Sequence, residues 1–180
     1  MGGRFETLTL KDVGFFEDVP ENEDTFYGNA LVKAKTISDK FGLPALADDS
    51  GLCVESLNGE PGVQSAYYSL GGKSVEWQQN SKCSDIDNNA LLLKNLGKAK
   101  NREAYFVSCV VIHFPNGKIA KGEGKVYGEI LTEPRGENGF GYDPLFLYPP
   151  LNKTLAELTA EEKNEISHRK NALTNLLKQI

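Results

Sequence analysis

Apolar residues recur every three or four positions from Phe26 to Phe41, as Phe26, Ala30, Leu31, Ala34, Ile37 and Phe41. This spacing predicts an amphipathic helix over 25–41, capped by Asp24 and closed by Gly42. Asn29 and Lys33 lie four apart and share another of its faces. Alternation over Phe5–Leu10 predicts a strand. A second strand is expected over Pro44–Ala47. It is followed by a turn at Asp48-Asp49-Ser50-Gly51, and alternation then resumes through Glu55. Asn58-Gly59 and Pro61-Gly62 mark further turns, and residues 69–83 are polar and irregular.

Ser84 or Asp85 can cap a helix running to Leu96, with Gly97 at its end. Ala104–Phe114 and Lys118–Leu131 flank Pro115-Asn116-Gly117 and read as a hairpin. A short strand over Leu145–Tyr148 ends at Pro149-Pro150. Thr159 with Glu162 forms a capping box that opens a helix to Ile166, and a last helix spans His168–Ile180. Helices and strands so intermixed predict a mixed α/β or α+β domain.

At 180 residues the chain suits a single domain, with two lobes possible. No apolar run approaches the length of a membrane span, and Met1-Gly2-Gly3-Arg4 does not open a signal peptide. Cys53, Cys83 and Cys109 are widely spaced with no CxxC pair, which fits a reducing cytoplasm better than a disulfide framework or a zinc ribbon. A net charge of −5 argues against a nucleic-acid polymer as partner but leaves room for a single nucleotide in a local basic pocket.

Four segments carry chemistry. Adjacent carboxylates at the end of an apolar run, Asp48 and Asp49, are unfavourable unless a cation or hydrogen bonds compensate them, and a hard divalent metal does so while bringing phosphate chemistry. An Asp-Ser-Gly turn with one capping carboxylate is the plainer alternative. In Gly139-Phe140-Gly141-Tyr142-Asp143-Pro144, glycines let the backbone approach a flat ligand on which Phe140 stacks, while Asp143 accepts hydrogen bonds. Core packing of the aromatics is the commoner use of such a loop. Lys163 with Ser167-His168-Arg169 offers a fork of donors for carbonyl or phosphate oxygens, or a helix junction with solvated charges. The last segment is Glu21 with Asn29 and Lys33: Glu21 can join the aspartates around a metal and Lys33 can meet a phosphate or pair with a carboxylate, or the two are a solvated acidic loop and an exposed helical lysine. Ser50 lies in no G-x-S-x-G turn, which ranks a serine nucleophile low.

ADDSGL at 47–52, NGEPGVQSA at 58–66, GFGYDP at 139–144 and EEKNEISHR at 161–169 follow in that order. With these four motifs, from about Phe5 onward, the chain resembles the inosine triphosphate pyrophosphatase family. The resemblance implies an α/β fold in which helices flank a long central mixed sheet and two lobes enclose a nucleotide cleft, typically in a homodimer. It further implies Mg2+-dependent hydrolysis of ITP, dITP or XTP to the monophosphate and pyrophosphate. Carried over, Asp49 is the catalytic carboxylate and Lys33 stabilises phosphate charge. Glu21, Asp48 and Asp49 serve the metal, and Ser50 and Gly51 lie near the phosphates. Phe140, Gly141, Tyr142, Asp143, Lys163, His168 and Arg169 hold the base. The family's opening strand and Thr/Ser-x-Asn-x-x-Lys phosphate loop are expected to be missing from this sequence, and Gln64 and Tyr67 depart from its pattern at 64–67. A nucleotide-binding homologue with weak or no catalysis is the alternative reading.

Overall fold

The computed structural model describes residues 6–71 and 84–180, so Phe5, Cys83 and most of the irregular stretch expected over 69–83 lie outside it. Helix α1 spans Phe26–Phe41. Its cap is Thr25, whose Oγ1 accepts the Gly28 N–H at 3.0 Å; Asp24, expected in that role, stands one residue too early. Gly42 ends the helix in the left-handed region, at φ 65°. Strand β1, Ala45–Val54, is unbroken. The turn expected at Asp48–Gly51 does not form, because every residue of the segment pairs with strand β2, Glu103–His113, from Ala45↔His113 to Val54↔Ala104. Gly51 is needed for close approach rather than for turning. A Cβ there would stand 2.4 Å from Gly62 O and 2.5 Å from Ser65 Oγ.

β2 turns into β3, Ile119–Ile130, as the expected hairpin, and β4 (Phe146–Tyr148) and β5 (Lys153–Thr154) complete the sheet in the order β1-β2-β3-β4-β5. Every pairing among the described residues is antiparallel, where a mixed sheet is expected. Residues 6–9 are not a strand. Thr9 closes a turn on Asp12 there, and Leu8 and Leu10 stay exposed, since no strand among the described residues pairs with this segment.

The sheet has two differently covered faces. α1 lays Ala30 and Ala34 on Cys109 and Val111, with Ala47 beside them. The opposite face carries α4, His168–Leu177, which lays Ala172 and Leu176 on Val110, Ile112 and Ala120. Further along that face lies the main core, which includes Leu52, Val54, Leu92, Phe106, Tyr142 and Phe146. α4 rests on β3 backbone to backbone: a Cβ on Gly124 would lie 2.2 Å from Ala172 N and 2.3 Å from His168 O. Helix α2, Asp85–Leu96, is capped by Ser84, and α3, Ala160–Ile166, opens with the expected capping box of Thr159 and Glu162. No helix among the described residues is long and apolar enough to cross a membrane.

Candidate active site

Side chains along a strand alternate between faces, so neighbours in sequence project oppositely. β1 therefore splits Asp48 from Asp49. Asp49 faces α1 and is 8% exposed. Burying a carboxylate is costly unless it is paired and hydrogen-bonded, and α1 supplies both. Asn29 donates from Nδ2 to Asp49 Oδ2 at 2.9 Å, and Lys33 Nζ stands 3.7 Å from Asp49 Oδ1. One turn of helix brings the amide and the ammonium to the same carboxylate. Lys33 also contacts Glu21 Oε1 at 2.9 Å, from the loop that precedes the helix. Asn29 is fully buried, and its Oδ1 accepts the Glu23 N–H at 3.0 Å. That contact orients the amide so that its donor faces Asp49. The sequence groups Asn29 with Glu21 and Lys33 but gives it no role of its own. Its i, i+4 spacing to Lys33 was the available signal.

Asp48 lies on the face of α4. Its Oδ2 accepts from Arg169 Nε at 3.0 Å, and the same guanidinium donates from Nη2 to Ser50 Oγ at 2.9 Å. The expected meeting of Glu21, Asp48 and Asp49 does not occur, because the sheet stands between the two aspartates. Among the described residues no three His, Cys, Asp or Glu side chains converge as a metal cage. Glu21 and Asp49 do share one ammonium, on one face. Two carboxylate oxygens of this kind suit a hard divalent cation that completes its shell with phosphate and water. Ser50 projects to the opposite face from Asp49 and is bonded to Arg169, whereas Gly51 shares the Asp49 face and is sealed there under Gly62, Ser65 and Phe26.

The glycine loop curls over α3 and α4. Phe140 is 63% exposed, with Lys163 Nζ 4.6 Å and Arg169 Cζ 6.0 Å from its ring centre. Asp143 is buried. Its Oδ2 accepts the Phe140 N–H at 2.8 Å and pairs closely with Lys163. Gly139, at φ 79°, leaves that carboxylate room, since a Cβ there would come within 2.1 Å of Asp143 Oδ2. Asp143 thus shapes the loop and holds Lys163, whereas the sequence suggested a base-edge acceptor. Tyr142 is a core residue rather than a ligand contact: it is 4% exposed, and its hydroxyl donates to Ser65 O at 2.9 Å. Gly141 is gripped from both sides by α2, its N–H by Asp85 Oδ2 at 2.6 Å and its carbonyl by Asn89 Nδ2 at 3.0 Å. The sequence offered no sign of this clamp beyond the spacing of Asp85 and Asn89 on one helix.

Ser167 is both the residue that ends α3 and the N-cap of α4. Beyond it His168 is buried and stacked on Phe106 at 5.1 Å and 14°. Burial, reinforced by the charges of Arg169 and Lys163, pushes its pKa down to about 4, so the ring is neutral at pH 7. A neutral imidazole has one N–H donor and one acceptor.

Relatives match the chain over most of its length. The chain is 44% identical to the dITP/XTP pyrophosphatase of Thermoanaerobacter sp. (strain X514), over 97% of this chain and 84% of the relative. With the dITP/XTP pyrophosphatase of Thermus thermophilus it shares 47% identity over 94% of this chain and 77% of the relative. The solved structure of the Staphylococcus aureus Ham1 protein superposes with a TM-score of 0.81 at 41% identity, covering 94% of this chain and 82% of that one. The Ham1 family model matches residues 3–179, and on these grounds the chain belongs to the Ham1 family.

Proposed function

We propose that the protein hydrolyses non-standard purine nucleoside triphosphates, dITP, XTP and ITP, to the monophosphate and pyrophosphate. The observation that carries this reading is the constellation on the α1 face. It sets a buried carboxylate, Asp49, between an amide donor and an ammonium, with Glu21 at the other side of that ammonium. The names of the relatives favour catalysis over a binding-only role.

In this reading the triphosphate passes the outer edge of β1, with its phosphates on the side of α1 and its base on the side of α4. Asp49 orients the attacking water and takes its proton. Asn29 keeps the carboxylate aimed, and Lys33 neutralises charge that builds on the phosphate oxygens. Glu21 and Asp49 would hold Mg2+, which supplies further neutralisation of the phosphates. The base stacks on Phe140, and donors from Lys163 and Arg169 meet a 6-oxo group. The amino group of adenine would leave those donors unpaired, at about 1–3 kcal/mol per group. The reading assigns the phosphates to Lys33 and the metal, on the face where Lys33 meets Glu21 and Asp49. It includes one two-lobed domain acting as a homodimer in the cytoplasm.

The test is pyrophosphate release from dITP, XTP and ITP against ATP and GTP, with and without Mg2+. Preferential release from dITP, XTP and ITP over ATP, lost in Asp49→Asn, is expected. Equal turnover of ATP, or full turnover by Asp49→Asn, would refute the reading.

A further inference from the structure

We propose that Asp48 is the positioning residue of Arg169 rather than a ligand of the metal, so that neighbouring aspartates serve the two ends of one substrate. The inference rests on the proposed pyrophosphatase reading, and three observations support it.

The first is direction. Asp48 and Ser50 are two apart on β1 and share the face opposite Asp49. A cation held by Glu21 and Asp49 is therefore out of Asp48's reach.

The second is the contact itself. One guanidinium spans both side chains, 3.0 Å from Nε to Asp48 Oδ2 and 2.9 Å from Nη2 to Ser50 Oγ. This uses one edge of the planar fork and leaves Nη1 for other acceptors.

The third is the mounting. The backbone of Arg169 is set by the N-terminal turn of α4, and His168 O presses on Gly124. Only the long side chain is free to wander. Asp48 and Ser50 remove that freedom before a ligand arrives, with Arg169 Cζ 6.0 Å from the Phe140 ring. Asp48 also sets a negative charge beside Arg169, close to the ammonium that Lys163 holds 4.6 Å from the same ring.

The experiment uses the full chain with dITP and dATP as substrates, a Mg2+ titration, and the variants Asp48→Asn, Ser50→Ala, Arg169→Ala and the two double variants with Arg169→Ala. Asp48→Asn is expected to raise KM for dITP about tenfold, change kcat less, and narrow the preference for dITP over dATP. The half-saturating Mg2+ concentration is expected to stay where it is. In the Arg169→Ala background Asp48→Asn should add nothing, because the pair acts as a unit. Ser50→Ala should show the same pattern at smaller size, and it carries the test alone should Asp48→Asn fail to fold. A tenfold higher Mg2+ requirement in Asp48→Asn, or an effect that persists without the Arg169 side chain, would overturn the proposal. Wild-type protein that releases no pyrophosphate from dITP would refute the pyrophosphatase reading instead. Calorimetric affinity for deoxyinosine monophosphate across the same variants would then decide: coupling between Asp48 and Arg169 supports the inference, and its absence overturns it.

Discussion

On the α1 side of β1, the Asp49 side chain is 10% exposed and held by Asn29 and Lys33. On the α4 side, the Asp48 side chain is 39% exposed and held by an arginine that is itself open to water. The two residues are chemically identical and adjacent in sequence. What separates them is the pleat of the strand and what covers each face. A carboxylate under a helix depends on fixed partners, and losing one leaves a buried group unpaired. A carboxylate at the rim is screened by solvent, so its contact orients more than it stabilises. One dipeptide can thus supply a rigid group and an adjustable one.

The contrast can be broken most severely at Asp49. Asp49→Asn is expected to lower turnover by about 10²–10⁴-fold, read as pyrophosphate release, with the fold intact by circular dichroism. Next comes acid, which strikes the α4 side. His168 has a folded pKa of about 4, below its unfolded value, so the unfolded chain binds more protons between those two values. This contribution to stability is complete above about pH 6.5 and is lost as pH falls toward 4, a change on the order of 3 kcal/mol. Urea titrations across that window should show the slope, and His168→Phe should flatten it. Asn29→Ala tests the α1 side through its support. It removes a donor from Asp49 and the acceptor of the Glu23 N–H, at about 1–3 kcal/mol in denaturant unfolding, and it should lower kcat more than it raises KM. The smallest effect belongs to the exposed ring. Phe140→Ala should raise KM about fivefold, near the lower end of what base stacking contributes, and leave Tm unchanged.

Much of the frame was readable from residue types alone. α1, the β2–β3 hairpin and the capping box of α3 lie within a residue or two of their expected bounds, because caps, turn residues and periodicity are local signals. The carboxylate run misled for a physical reason. Ser-Gly beside acidic residues is turn chemistry, and only the close contact of Gly51 with residues 62–65 explains a glycine inside a straight strand. The expected trio of Glu21, Asp48 and Asp49 failed on the same point, since a straight strand cannot aim neighbours together. Tyr142 and Asp143 were placed in the right loop, but burial gave one ring to the core and one carboxylate to Lys163. The link from Arg169 to Asp48 spans 121 residues of chain, and no local pattern announces it.

The junction at Ser167 has a mechanical corollary. With no spacer between α3 and α4, the torsions of that one residue set the pitch between the axes that carry Lys163 and Arg169. The two cations flanking Phe140 are therefore geared together, and a linker inserted at Ser167 would let them drift apart without altering either side chain.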